Sequence, residues 1–187
     1  MSENSLKNHF LVATPTLHGG FFANSLTYIC EHSEQGAMGI VVNHPLDLRV
    51  DEILDQLELA DAAHPHNEPV LAGGPLRTDR GFVLHRHDQH MSWQASLPIG
   101  GDIELTTSLD ILGAIASNRG PRNSLIALGY AGWDEGQLEH ELEQNVWLTV
   151  PADEHILFQV PHHRKLDAAL QKLGIRLSQL APYSGHA

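Results

Sequence analysis

The amino-acid sequence predicts an α+β fold in a single domain. Short segments rich in β-branched and aromatic residues, each stopped by Gly, Pro, Asn or Asp, run through most of the chain. Helical spacing of apolar residues appears only in a few stretches placed irregularly among them, whereas a doubly wound sheet would need strand and helix to alternate. A length of 187 residues with 42% hydrophobic content suffices for one sizeable core and is short for two. Residues 1–187 therefore form one expected domain.

HFLVA (9–13) is the first expected strand, stopped by Thr14-Pro15. SLTYICEH (25–32) carries Thr27, Tyr28, Ile29 and Cys30, types suited to a strand. Ser33-Glu34-Gln35-Gly36 reads as a turn into AMGIVVN (37–43), so a hairpin is expected. His44-Pro45 ends its second strand, because proline cannot donate to a central ladder. In VDEILDQLEL (50–59), Ile53, Leu54 and Leu57 recur at helical spacing behind Asp51 as N-cap. The polar ADAAHPHNEP (60–69) is a loop inside the domain, since strand-like VLAGG resumes directly after it. PVLAGG (69–74), GFVLHR (81–86), SWQASLPI (92–99) and DIELTT (102–107) make the middle third strand-rich. Ser108 is expected to cap a helix through Leu109, Leu112 and Ile115-Ala116, closed by NRGP (118–121). SLIALGY (124–130) reads as a buried strand, followed by a helix from about Asp134. Two apolar segments, VWLTV (146–150) and HILFQV (155–160), precede a C-terminal helix near 165–173.

Composition narrows the function classes. Lys plus Arg total 11 against 23 for Asp plus Glu, a formal net charge of −12, and the basic residues are scattered. Nucleic-acid affinity rests on neutralising backbone phosphates, so direct nucleic-acid binding is not expected. The single cysteine, Cys30, excludes an internal disulfide and a Cys-based zinc ribbon. No apolar run approaches the ~20 residues of a membrane span. MSENSLKNHF (1–10) lacks the basic flank and apolar stretch of a secretory signal, so a cytoplasmic, membrane-free protein is expected.

GYAGWDEGQLEHEL (129–142) packs three glycines, a tryptophan, a histidine and four carboxylates into one stretch. Asp134 and Gln137 stand at capping-box spacing, with Leu138 and Leu142 on one helical face toward the core. A strand ending at Tyr130, a glycine turn and a helix capped by Asp134 follow from that reading. Gly129 and Gly132 imply positive φ or a close approach by a helix or a ligand. Gln137 and Glu139 are then left for function. The glycine spacing is neither a dinucleotide fingerprint nor a phosphate loop. His85, His87 and His90, and the pair His162-His163, invite a metal, but no zinc-protease spacing accompanies the 14 histidines, so no metal and no cofactor are expected. Cys30 and His32 alternate onto one strand face with Glu31 on the other, and a lone cysteine there suits the core better than a nucleophile's role. No G-x-S-x-G elbow occurs.

HFLVATP, YICEHSEQGAMGIVVNHP, GGPLRTDRGFVLH, LGYAGWDEGQLEHELEQNVWL, ADEHILF and the terminal GHA, in order along nearly the whole chain, resemble the AlgH/YqgE family of small bacterial proteins. The resemblance implies a split, strongly curved β-sheet forming a pseudo-barrel, flanked by a few helices. The family carries the label of transcriptional regulator without an established biochemical activity. Its motif residues fall here on Glu31, His32, Asn43, Gly73, Gly74, Pro75, Asp79, Arg80, Gly81, His85, Gly129, Tyr130, Trp133, Gly136, Gln137, Leu138, Glu139 and Trp147. The chain departs from the family at His44, where Arg or Lys is common, and at Gly19-Gly20, where an acidic or polar pair is common.

The expectation is a non-catalytic binding or regulatory protein acting on a protein or small-molecule partner. Its polar cleft would be built from Glu31, His32, Asn43, Arg80, His85, Trp133, Gln137 and Glu139. Arg80 offers a bidentate anion contact and Glu31 its counter-charge. Glu31, His32, Arg80 and His85 are expected to approach one another across strands while Cys30 is buried. The alternative is a hydrolase or metal-dependent enzyme using His32, His85 and Glu139, which requires those three to converge.

Overall fold

A computed structural model describes residues 5–17 and 19–180, so the terminal GHA motif lies outside the described residues. The strands are β1 (His9–Ala13), β2 (Leu26–Ser33), β3 (Gly36–Val41), β4 (Pro45–Arg49), β5 (Pro69–Ala72), β6 (Leu76–Arg86), β7 (Ser96–Gly100), β8 (Ile103–Thr106), β9 (Ser124–Trp133) and β10 (Trp147–Pro151). The helices are α1 (Val50–Gln56), α2 (Asp110–Ala116), α3 (Gln137–Glu143), α4 (Glu154–Phe158) and α5 (Lys165–Lys172). Eight strands, ordered β10-β1-β2-β3-β9-β6-β8-β7 and antiparallel throughout, curl into a half-barrel. β4 and β5 join from the side, through a parallel pairing of β5 with β9. The fold is α+β, and the expected pseudo-barrel is observed.

Period-2 alternation explains the layers. Phe10, Tyr28, Ile40, Leu84 and Leu105 pack from one sheet face into the main core, which α4 and α5 complete with Leu157 and Leu170. On the opposite face, α1 and α2 set Leu54, Ile111 and Ile115 on Val70, Val83 and Ile126. Farther along, α3 buries Leu138 against Leu11, Ile29, Ala131, Trp133 and Trp147, as its spacing predicts. No described helix is long and apolar enough to cross a membrane.

β9 joins the two halves of the sheet and slips phase in doing so. Ala127 and Tyr130 face the main core, whereas Ala131 and Trp133 face α3. The odd interval falls at Gly129, whose φ of +81° suits glycine. The strand therefore runs on to Trp133 rather than ending at Tyr130, and its last residues pair with β3. The close approach expected at Gly129 does not come from a helix. It comes from the backbone of Gly74, whose carbonyl would stand 2.3 Å from a Cβ at Gly129.

Several local expectations need correction. His44-Pro45 does end the hairpin, but Pro45 opens β4, where a side strand tolerates a missing donor. Helix α1 starts behind Arg49 without a side-chain cap; Val50 and Asp51 instead donate their amides to the carbonyls of Glu68 and His66. Ser108 caps no helix: its Oγ donates to Asp110 and accepts from the Ala95 amide. Asp134 is not the N-cap of α3, which begins behind Gly136 in a left-handed conformation.

Candidate functional site

The corner before α3 is built around a carboxylate that the residue pattern did not single out. Trp133 and Trp147 both donate their indole Nε1–H to Glu141 Oε1, at 3.0 and 2.9 Å, and Gln137 donates to Oε2 at 3.0 Å. Gln137 also accepts the Asp134 amide through Oε1 at 2.9 Å, which is half of the expected capping box. Trp133 and Gln137 are thus committed to scaffold. Glu141 lies one turn beyond Gln137, so i,i+4 spacing was the available signal. Glu141→Ala should cost roughly 2–4 kcal/mol by leaving two indole donors unpaired, and Glu139→Gln under about 1 kcal/mol. Denaturant melts of the two variants check this; equal losses would place Glu139 in the scaffold as well.

The side chains of Glu31 and His32 point to opposite sides, as strand neighbours do, and a bulge decides which side each one takes. β2 pairs with β3 as Ile29↔Gly39 and then Glu31↔Met38, which leaves Cys30 as an extra residue. Simple alternation would put Cys30 and His32 on one face. The bulge instead puts Cys30 in the main core and Glu31 beside Met38 on the same side, and His32 toward α3. Cys30 is fully buried, and burial pushes its thiol well above the usual value. His32 Nδ1 accepts the Leu6 amide at 2.8 Å, so its proton sits on Nε2 and is donated to Glu139 Oε1 at 2.5 Å. That bond holds the Glu139 carboxyl below the usual range. With both ring nitrogens engaged, His32 is not poised as a general base.

Asn43 is spent on the backbone: Oδ1 accepts from the Leu26 amide and Nδ2 donates to the Asn24 carbonyl, each at 2.9 Å. The neighbouring His44 ring meets Phe21 edge-on, and burial lowers its pKa, so this position holds no fixed cation. His85 is 1% exposed, between β6 and β8. Its Nδ1 faces the Arg86 carbonyl at 3.1 Å and its Nε2 faces Thr106 Oγ1 at 2.7 Å; Thr106 Oγ1 in turn lies 2.6 Å from Ser96 Oγ. His32, His85 and Glu139 therefore do not converge, and the expected single cleft is divided. Glu31 and Arg80 come together, His32 and Glu139 come together, and His85, Asn43, Trp133 and Gln137 are held in the framework. Among the described residues no three His, Cys, Asp or Glu side chains gather as metal ligands.

A concavity of about 600 Å³ brings Glu31 and Arg80 together, between the β2–β3 hairpin, β6 and β7. Phe82 and Tyr130 meet edge to face at 5.7 Å in its floor, with Met38, Leu97 and Leu105 beside them. Glu31, Arg77, Arg80 and Ser96 stand around its mouth. The Arg80 guanidinium carbon lies 5.8 Å from the Phe82 ring centre and makes no ion pair among the described residues. Arg77 holds Asp79 loosely at 3.6 Å. Tyr130 and Arg80 were legible as family motif residues. Arg77 carried no signal, because β6 was expected to start only at Gly81 and its first residues read as loop; Phe82 and Ser96 lay in expected strands that singled neither out.

Comparisons with known proteins follow the fold. Residues 10–178 match a family model described as AlgH-like, DUF179. A UPF0301 protein of Saccharophagus degradans is 51% identical over 98% of this chain and 89% of its own length. A UPF0301 protein of Nitrosospira multiformis is 50% identical over the full length of both. The solution structure of the AlgH protein from Pseudomonas aeruginosa superposes with a TM-score of 0.81 at 48% identity, covering 100% of this chain and 98% of that one. A crystal structure of a Corynebacterium diphtheriae protein, 20% identical with a TM-score of 0.74, covers 98% of this chain and 95% of its own and shares the fold.

Proposed function

The chain belongs to the AlgH-like family, and from that premise we propose that it is a non-catalytic cytoplasmic binding protein for a small organic acid with an apolar body. The observation that carries this reading is Arg80, a guanidinium without an ion-pair partner among the described residues, set over the aromatic floor of a concavity of ligand size. An apolar floor with a few polar groups at its mouth is how small-molecule sites are commonly built, and guanidinium is the side chain best suited to a carboxylate or phosphate. Regulation would then run through ligand or partner binding. Direct DNA contact would have to overcome a net charge of −12. The buried, unpaired Cys30 thiol is in keeping with a reducing cytoplasm.

Titration of the protein with 3-phenylpropanoate, followed by amide chemical shifts, tests the proposal. Shifts should concentrate on β6, β7 and Tyr130, and Arg80→Gln should weaken binding by about tenfold or more, the effect of losing one charge-assisted contact. Unchanged affinity in Arg80→Gln would sink the anion site.

A further inference from the structure

The polar atoms at the mouth of the concavity are not all donors, and a buried chain of hydrogen bonds decides the role of one of them. His85 Nδ1 faces a carbonyl, Arg86 O at 3.1 Å, so it must carry the ring proton. Burial holds this imidazole below its usual pKa, which leaves Nε2 a bare acceptor. Glu104 cannot donate to it: its Oε2 stands 3.9 Å away, and its Oε1 is taken by His87 Nδ1 at 2.6 Å. The Thr106 hydroxyl therefore donates to Nε2 across 2.7 Å. Its one proton is then used, so at 2.6 Å it accepts from Ser96 Oγ. The hydroxyl proton of Ser96 points inward, and its lone pairs are what remain for the concavity. Such a chain also polarises each successive oxygen.

The mouth thus presents two guanidinium donors, Arg77 and Arg80, and two acceptors, the Glu31 carboxylate and the Ser96 hydroxyl oxygen. We infer that the ligand is a zwitterion, an amphipathic acid that also carries a protonated amine, with the acid on the arginines and the amine's N–H groups on Glu31 and Ser96. A simple anion would face the Glu31 charge and leave both acceptors unpaired, which disfavours it. A simple amine would face the arginines. Only a molecule of both signs, with an apolar body for Phe82 and Tyr130, satisfies the whole lining. His85 and Thr106 act as positioning residues, fixing the polarity of Ser96 without touching the ligand. This inference rests on the binding reading above.

The experiment compares three probes of one shape at pH 7.5: L-phenylalanine, 3-phenylpropanoate, which lacks the amine, and phenethylamine, which lacks the acid. Phenylalanine should bind at least about tenfold tighter than either. Glu31→Gln and Ser96→Ala are both at exposed positions, where the fold should tolerate them; each should remove most of the advantage over 3-phenylpropanoate while leaving 3-phenylpropanoate itself bound. Thr106→Val keeps the shape but breaks the chain. It should shrink the same ratio with Ser96 still present, an effect that mere scaffold damage, weakening all probes alike, would not produce. If 3-phenylpropanoate binds as well as phenylalanine, the zwitterion inference is overturned and the anion site stands. Should no probe shift any resonance of the concavity, the binding reading falls and takes the inference with it.

Discussion

Gly74→Ala should leave little or no folded protein, at a cost above about 4 kcal/mol, a size reserved for a few mechanisms such as backbone strain and overpacking. A Cβ at Gly74 would stand 1.9 Å from the Tyr130 carbonyl carbon, 2.1 Å from its oxygen and 2.4 Å from the Ala131 nitrogen. All three are backbone atoms, which cannot rotate aside as a side chain can. The segment is also pinned on both sides: the Val41 amide donates to Gly73 O and the Gly73 amide to Leu128 O, each at 2.8 Å. Any retreat from the clash would break the seam where β3, β9 and the approach to β6 meet. Gly136→Ala provides the contrast. Its φ is +74°, but nothing lies within 4 Å of the new Cβ, so it should lose only about 1 kcal/mol of left-handed strain. Circular dichroism and denaturant melts of both variants measure the difference. A Gly74→Ala protein melting within about 1 kcal/mol of the parent would show that the two backbones can part.

That seam marks where the sequence stops being readable. The core strands were legible because Phe10, Val12, Tyr28, Ile40 and Leu84 follow local period-2 rules. Leu138 was legible because helical spacing is equally local. The bulge at Cys30 and the phase slip at Gly129 were not, since each is dictated by a partner strand distant in sequence. Those two slips are what divide the candidate site: one puts Glu31 on the side of Cys30 and sends His32 toward α3, and the other brings Tyr130 into the main core and carries Trp133 out of it. The caps expected at Asp51, Ser108 and Asp134 failed for a related reason. Tertiary partners supplied the amides of α1, and the side chains of Ser108 and Gln137 found better-placed groups. Chemistry-bearing residue types were visible in the sequence, but their facing was set by irregularities in the strands.

Lys165→Met should stabilise the protein at pH 7, and the gain should shrink as pH rises toward 10. Lys165 is 1% exposed, its Nζ donates to Val42 O at 2.9 Å, and no carboxylate lies within 4 Å of it among the described residues. Burial pulls its pKa from the ordinary 10.5 to about 7. Between those values the unfolded chain holds a proton that the folded one has lost, so stability climbs with pH across that window. The full difference between the two ends is on the order of 5 kcal/mol, as a ceiling. Methionine fills similar volume with no charge to desolvate, and removes the whole dependence at the expense of one hydrogen bond. Two other buried groups act in the opposite sense at the alkaline end. Burial raises the pKa of the Cys30 thiol and of the Tyr28 hydroxyl, so stability falls once the unfolded thiol ionises, above about pH 8.5. Below neutrality His162, pulled down to about 4 by burial and by Lys165 beside it, loses stability as pH falls through its unfolded value. The informative quantity is therefore the difference between parent and variant from pH 7 to 10, where Cys30 and Tyr28 contribute to both and cancel. Melting curves that run parallel across that range would mean that the Lys165 ammonium is solvated or paired in the folded protein. Curves that converge by several degrees would identify it as an unpaired buried amine, uncharged over much of the range.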